Sequence, residues 1–392
     1  GDLWTDWNGN VNFSGEGTKE SPYQIETLSQ LMGLSESVAA GEDYKGVYFE
    51  LAQSLDLGGL SINRGNWNPI GWYRNAADMT GNVATPFRGH FNGCGNTISG
   101  LQIIGGLDGW RNIGLFGVIE EGTVENLQIE ADQVQGKDLA GILAGTVTKG
   151  SIIRNVSVSG YVYSEGSAGG IAAVLCGSGK GTGAGIGVEE DDGSVIVENC
   201  RAEGIAMNAA RTQGAVGGIA GVAEKAYLVD NAVITQNGST DRIQGKGYVG
   251  GIAGIMQQSG IYNSYVNGTI GGNASHAVGG IIGKYESGNL ILARMAGTIS
   301  RTNNGSASRE GTFVGTRDSS DRFTYGTERD SRIAYLFTNT LAKAKQVFGS
   351  NIDGDNRFTS DAHIGYWSDL ERKYRTVAGQ IEYDCGDRFF YE

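Results

Sequence analysis

The sequence is short of several things. Its 392 residues include 3 prolines, 3 histidines and 4 cysteines. So little proline excludes collagen and a Pro-rich extended linker. The histidines, His90, His276 and His363, are far apart in sequence, and HExxH is absent, so the common zinc-hydrolase signature is missing. GxSxG is absent as well, which removes the nucleophile elbow. Cys94, Cys176, Cys200 and Cys385 form no CxxC pair, which argues against a zinc site of ordinary spacing. Cys176 and Cys200 lie near repeated motifs, so a disulfide between them and two free packed thiols are both open readings. No metal or organic cofactor is implied.

Positive charge is also in deficit. Lys and Arg number 30 against 43 Asp and Glu, a formal net charge of −13. Such a surface repels a phosphate backbone and an anionic bilayer, so neither nucleic acid nor direct membrane insertion is expected. No run approaches the roughly 18 apolar residues of a membrane span. The opening Gly1-Asp2-Leu3-Trp4 is polar and carries no signal-peptide core, so the expectation is an exported protein whose leader is not in this chain.

Glycine is what the chain has in excess, 66 residues, beside a hydrophobic share of 39%. Together they supply enough apolar material for a core. Much of the glycine recurs in one pattern: Ile113-Gly-Leu-Phe-Gly117, Ala140-Gly-Ile-Leu-Ala-Gly145, Ala168-Gly-Gly-Ile-Ala-Ala173, Val216-Gly-Gly-Ile-Ala-Gly221, Val249-Gly-Gly-Ile-Ala-Gly254 and Val278-Gly-Gly-Ile-Ile-Gly283. Thr312-Phe-Val-Gly315 reads as a degenerate seventh copy. Anchored on the glycine before Ile or Leu, the copies fall at Gly114, Gly141, Gly170, Gly218, Gly251 and Gly280. An asparagine follows most anchors, at Asn126, Asn155, Asn199, Asn231 and Asn263, and the sixth copy has Ala293 instead. The long step between the third and fourth anchors places an insertion at about Cys176 to Ser194.

Each repeat holds short β-rich runs divided by Gly, Asn and Ser, which predicts strand, turn, strand, turn. Such periods fit one coil of a parallel β-solenoid, with Val and Ile filling its interior. Glycine is then needed where the chain bends or where backbones approach closely. The asparagines are expected to stack as a ladder at one turn and bond the backbone of the next coil.

These copies resemble the GLUG repeat of bacterial surface and secreted proteins, including regions of IgA-protease-type metallopeptidases. Phe13-Ser-Gly-Glu-Gly-Thr18, Trp67-Asn-Pro-Ile-Gly71 and Phe87-Arg-Gly-His-Phe-Asn-Gly-Cys-Gly-Asn-Thr-Ile-Ser-Gly-Leu101 resemble the lead-in that such proteins carry. The resemblance spans roughly residues 13–300. It implies an all-β, right-handed parallel β-helix, exported to the cell surface or secreted. It implies no activity, since the zinc motif of the protease-bearing members is missing.

A solenoid must cap its ends. Thr27-Leu-Ser-Gln30 is a capping box before Leu31, Leu34 and Val38, and Gly41 can stop that helix. At the other end, Arg332 to Phe348 reads as a helix on Ile333, Leu336, Phe337, Leu341, Ala344 and Val347, with Gly349 as its stop. The expected division is 1–330 as solenoid, with repeats over about 113–300, and 331–392 as a helix and strand-and-turn cap. Asn351 to Asp361 resembles a calcium loop, but its sixth position is Asn356 and its twelfth Ala362, so a polar turn is the preferred reading. Gly177-Ser-Gly-Lys180-Gly-Thr fails as a phosphate loop, because Gly181 stands where Ser or Thr is required. Glu189-Glu-Asp-Asp192 reads as a solvated loop.

Trp72, Tyr73, Arg74, Asp78, Trp110 and Arg111 form the candidate ligand platform. Aromatic faces suit sugar C–H groups, and Arg/Asp pairs suit hydroxyls. The competing reading is packing over the solenoid end, which is preferred for Trp67. Loops at Gln133–Asp138, Tyr163–Ser167, Asn208–Gln213, Asp241–Gly247 and Asn273–His276 are expected to line one side as a polar strip. The leading function is an adhesin-like surface module that binds a glycan or host-matrix ligand. A polysaccharide-degrading enzyme, by fold analogy only, and a structural stalk are the alternatives.

Overall fold

Runs of Val, Ile and Ala cut by glycine leave the chain little choice but short extended segments, whose backbone groups must find partners in neighbouring segments. In the computed structural model, residues 12–60, 65–71, 85–104, 111–178, 193–235, 242–301, 310–317, 332–338 and 364–366 are described. Their strands form three sheets, one of 18 strands and two of 7. In one short sheet Phe116, Ala144, Ala172, Ala220, Ala253, Ile282 and Val314 pair in parallel register. In the other, Ile113, Ala140, Ala168, Val216, Val249 and Val278 do the same. The chain is therefore a β-solenoid whose coils stack strand on strand, and Glu310–Gly311 with Val314–Arg317 is the seventh copy.

Inside, Ile171, Ile219, Ile252, Ile281 and Phe313 are fully buried in a column. Their backbones are linked coil to coil, Ile219 N–H to Ile252 C=O at 3.1 Å and Ile252 N–H to Ile281 C=O at 2.9 Å. Burial of each such side chain contributes about 1.5–3 kcal/mol. The register corrects the anchoring read from sequence: Gly141 pairs with Gly169, so Ile142 stands where Gly170 does. The second copy has one glycine fewer at the corner, and counting from the Ile hides this.

Glycine is demanded by close approach. A Cβ on Gly251 would stand 2.0 Å from the Gly280 carbonyl oxygen of the next coil. A Cβ on Gly254, the last glycine of its motif, would stand 2.6 Å from Val216 N, where the two short sheets meet.

The asparagine ladder exists, but it is bonded side chain to side chain. Asn155 Nδ2 donates to Asn126 Oδ1 at 2.8 Å, and Asn126 Nδ2 to Asn92 Oδ1 at 3.2 Å. Asn126, Asn155, Asn199 and Asn263 have φ of 50–55°, the left-handed conformation that Asn tolerates best after Gly. Register gives the fourth place to Asp230 rather than Asn231, because Glu198 pairs with Val229 and Val229 with Tyr262. Asp230 Oδ1 accepts from Asn263 Nδ2 at 2.7 Å. Asn231 turns inward instead, accepting from Cys200 N at 2.8 Å and donating to the Val197 carbonyl at 2.9 Å. In the sixth copy the place belongs to Leu292, φ 56°, and not to Ala293.

Cys176 and Cys200 are free thiols on different walls, so the disulfide reading falls. Cys176 ends the short-sheet strand Ala172–Cys176. Cys200 is buried beside the asparagine turn. The insertion is pinned at its neck, where Ser178 N–H donates to the Gly193 carbonyl at 2.9 Å. Residues 179–192, with the acidic run, lie outside the described residues.

The N-terminal end is closed by the helix Leu28–Ala39, started by the Thr27/Gln30 capping box. Leu31, Leu34 and Val38 are fully buried. Ser35 Oγ donates to the Asn68 carbonyl at 2.7 Å, tying the helix to the segment that carries Trp67. Trp67 is core, as expected, with Nε1 donating to the Leu115 carbonyl at 2.9 Å.

The helix expected from Arg332 is corrected over its first part: Arg332–Thr338 is a strand. It pairs in parallel with Gly288–Met295, and Leu336 is fully buried. The apolar spacing also fits a helix, but the open edge of Gly288–Met295 offers a row of backbone partners, and β-branched and aromatic side chains favour extension. Ile364–Tyr366 pairs in turn with Arg332–Thr338. Leu341, Ala344, Val347, Gly349 and the 351–361 loop lie outside the described residues.

Candidate binding groove

Leaving the 18-stranded sheet, the chain turns a corner and enters a three-residue strand of the second short sheet. The corner residues stack from coil to coil: Leu139 N–H donates to the Arg111 carbonyl at 2.9 Å, Ser167 N–H to Asp138 at 2.8 Å, and Arg211 N–H to Glu165 at 2.9 Å. These corners are shorter than the strip expected from sequence. Strands Thr123–Gly136, Ile152–Ser164 and Arg201–Ala209 run into three of the expected loops. Asp241 lies outside the described residues.

The corners and the outer face of the neighbouring short sheet enclose a groove of about 800 Å³. Its wall carries Arg111, Asp138, Ser167, Arg211 and Gln213; its floor includes Val118, Glu120, Thr146 and Thr148. Parallel strands repeat at about 4.8 Å, so residues from successive coils face a ligand at that interval. The small last residue of each glycine motif lets the two sheets meet closely at the groove's inner edge.

Arg111 Nε stands 3.4 Å from Asp138 Oδ2, and an Arg211 terminal nitrogen 3.2 Å from Oδ1 of the same carboxylate. Both arginine side chains are about half exposed, at 48% and 55%. Asn112 and Thr146 bond across coils at 2.6 Å. Glu120 is held by Lys149 Nζ at 2.8 Å and faces Arg88 Nε at 3.8 Å. The hydrogen bond from Lys149 to Glu120 raises the lysine's pKa, and that from Arg88 to Glu121 lowers the glutamate's. Beyond the groove, His276 stacks on Tyr248 with centroids 4.9 Å apart and meets Gln213 Nε2 at 3.2 Å. Among the described residues no three His, Cys, Asp or Glu gather as a metal-binding set.

Of the platform expected from sequence, Arg111 is described and lines this groove. Trp72, Tyr73, Arg74, Asp78 and Trp110 lie outside the described residues. Pro86, just after that stretch, also lines the groove. The polar strip already contained Asp138, Arg211 and Gln213. Their meeting with Arg111 was not legible, because the coil separation that joins positions 111, 138 and 211 depends on an insertion of unknown path.

No family model matches the chain. It is 30% identical over 168 residues, 43% of its length, to "Halomucin" of Haloquadratum walsbyi, covering 2% of that protein. It is 40% identical over 148 residues, 37% of its length, to a "Putative Gly-rich membrane protein" of Evansella cellulosilytica, covering 15% of it. The chain thus spans only a small part of these curated relatives. A solved structure, a "putative immunoglobulin A1 protease from Bacteroides ovatus", is similar at 19% identity and a TM-score of 0.48, over 83% of this chain and 78% of that one. Among the described residues no helix is long and apolar enough to cross a membrane.

Proposed function

We propose that this chain is a module of a secreted or cell-surface protein, of the GLUG-repeat kind, and that its solenoid binds a glycan in adhesin-like fashion. The observation that carries the reading is the polar groove running across the coils. It presents guanidinium, carboxylate, amide and hydroxyl groups from successive coils, the kinds of group that bind hydroxylated units. Kinship in sequence with segments of a halomucin and of a Gly-rich membrane protein supports a surface location. The net charge of −13 disfavours a phosphate backbone over most of the surface.

The test is native electrophoresis through gels cast with plant, microbial and host glycans, comparing wild type, Arg211→Ala and Trp72→Ala. The expected result is retardation of the wild type in at least one gel, lost in Arg211→Ala. Loss in Trp72→Ala as well extends the site to the aromatic platform. A cleared track replaces binding by polysaccharide cleavage. Free migration in every gel sinks the glycan reading for the glycans tested and leaves a protein or matrix partner or a structural stalk.

A further inference from the structure

Resting on the glycan reading, we infer that the groove selects an acidic polysaccharide and that Arg111 and Arg211 grip its anionic group in place of Asp138. A guanidinium carries five donors in a planar fork that matches a carboxylate or sulfate bidentately. Here each arginine meets Asp138 through one nitrogen, at 3.4 and 3.2 Å, and neither pairing is a fork. One carboxylate is shared by two cations, so among the described residues the pair of arginines carries an uncompensated positive charge. Glu120 does not cancel it, since Lys149 lies 2.8 Å from that carboxylate. Half exposure leaves both forks reachable from the groove.

The contrast with the rest of the molecule sharpens the argument. On a chain of net charge −13 an anionic polymer is repelled except where cations are gathered. The two arginines come from different coils and converge on one point, as a single acidic substituent on a sugar ring would require. Ser167, Thr146 and Gln213 line the same groove and add hydroxyl and amide groups beside the arginines. Asp138 then holds the forks in place until the ligand anion displaces it.

The experiment measures affinity by biolayer interferometry for immobilised polygalacturonate, its fully methyl-esterified form, dextran sulfate and dextran. Wild type is expected to bind a charged polymer and not its neutral counterpart, with affinity falling as salt rises. Polygalacturonate binding assigns a uronate, and binding of dextran sulfate alone assigns a sulfate ester. Loss of a charge-assisted contact predicts about 10–100-fold weaker binding for Arg111→Gln and for Arg211→Gln. Asp138→Asn frees both forks and is expected to tighten binding several-fold, whereas a merely structural Asp138 predicts weakening. Equal binding to charged and neutral forms overturns the inference while the glycan reading stands. Absence of binding to any glycan in this set and in the gels overturns both. Circular dichroism confirms that each variant keeps its fold.

Discussion

Gly251→Ala tests whether the repeated glycines are set by close packing of coils. A Cβ there would lie 2.0 Å from the Gly280 oxygen and 2.7 Å from Val266 Cγ1. Non-bonded carbon atoms settle at about 3.5–4.0 Å, and a carbon against an oxygen only slightly nearer, so the two coils must part locally by more than an ångström. Three buried hydrogen bonds join them at this point: Gly251 N–H to Gly280 at 3.1 Å, Ile252 N–H to Ile281 at 2.9 Å, and Ala253 N–H to Ile281 at 3.1 Å. Leaving a buried backbone group unpaired costs about 1–3 kcal/mol. Two such losses, with about 1 kcal/mol for crowding Val266, come to about 3–7 kcal/mol. That corresponds to a fall in Tm on the order of 10 °C. The comparison is Gly59→Ala, where nothing lies within 4 Å of the added Cβ; it is expected to be neutral or stabilising by about 0.4–1 kcal/mol. Thermal melts by far-UV circular dichroism read both. Hydrogen exchange on peptides covering Gly251 and Gly280 reads the local opening, which a quasi-one-dimensional stack allows. A Gly251→Ala melt within about 1 °C of wild type would refute the packing argument.

Further outcomes follow from the same geometry. Trp67→Phe removes the indole bond to the Leu115 carbonyl, which still accepts from Ile70 N–H at 2.9 Å, so a loss of about 1 kcal/mol is expected in urea unfolding. Trp67→Ala adds a cavity and is expected to lose about 3–5 kcal/mol. Asn155→Gly deletes the ladder bond but keeps the left-handed turn, while Asn155→Ala also incurs about 1–2 kcal/mol of backbone strain; equal effects in the two variants would count against the turn argument. Burial pushes the Cys200 thiol up to about 12 from its ordinary 9.0. Between these values the unfolded chain releases its proton first, so this contribution is full below 9.0 and falls as pH rises through the window. Urea midpoints at about pH 8 and about pH 10 should show a steeper decline in wild type than in Cys200→Ala.

What the sequence alone determined is the coil. Alternating apolar runs, corner glycines and left-handed asparagines are local requirements, and each repeats because every coil meets the same neighbours above and below. The N-terminal helix was equally legible, since a capping box is satisfied within one turn. Only the tertiary structure decided the register. Gly169 rather than Gly170 answers to Gly141, and Asp230 rather than Asn231 joins the ladder. Motif similarity tolerates a one-residue slip that hydrogen-bonded pairing does not. Tertiary structure also made Arg332–Thr338 a strand, because an open sheet edge outweighs a helical spacing that is only a weak local preference. The groove belongs to the same category. The sequence places Arg111 in the aromatic platform and Asp138 and Arg211 in the polar strip, and they meet because stacking places positions from separate coils within side-chain reach of one another.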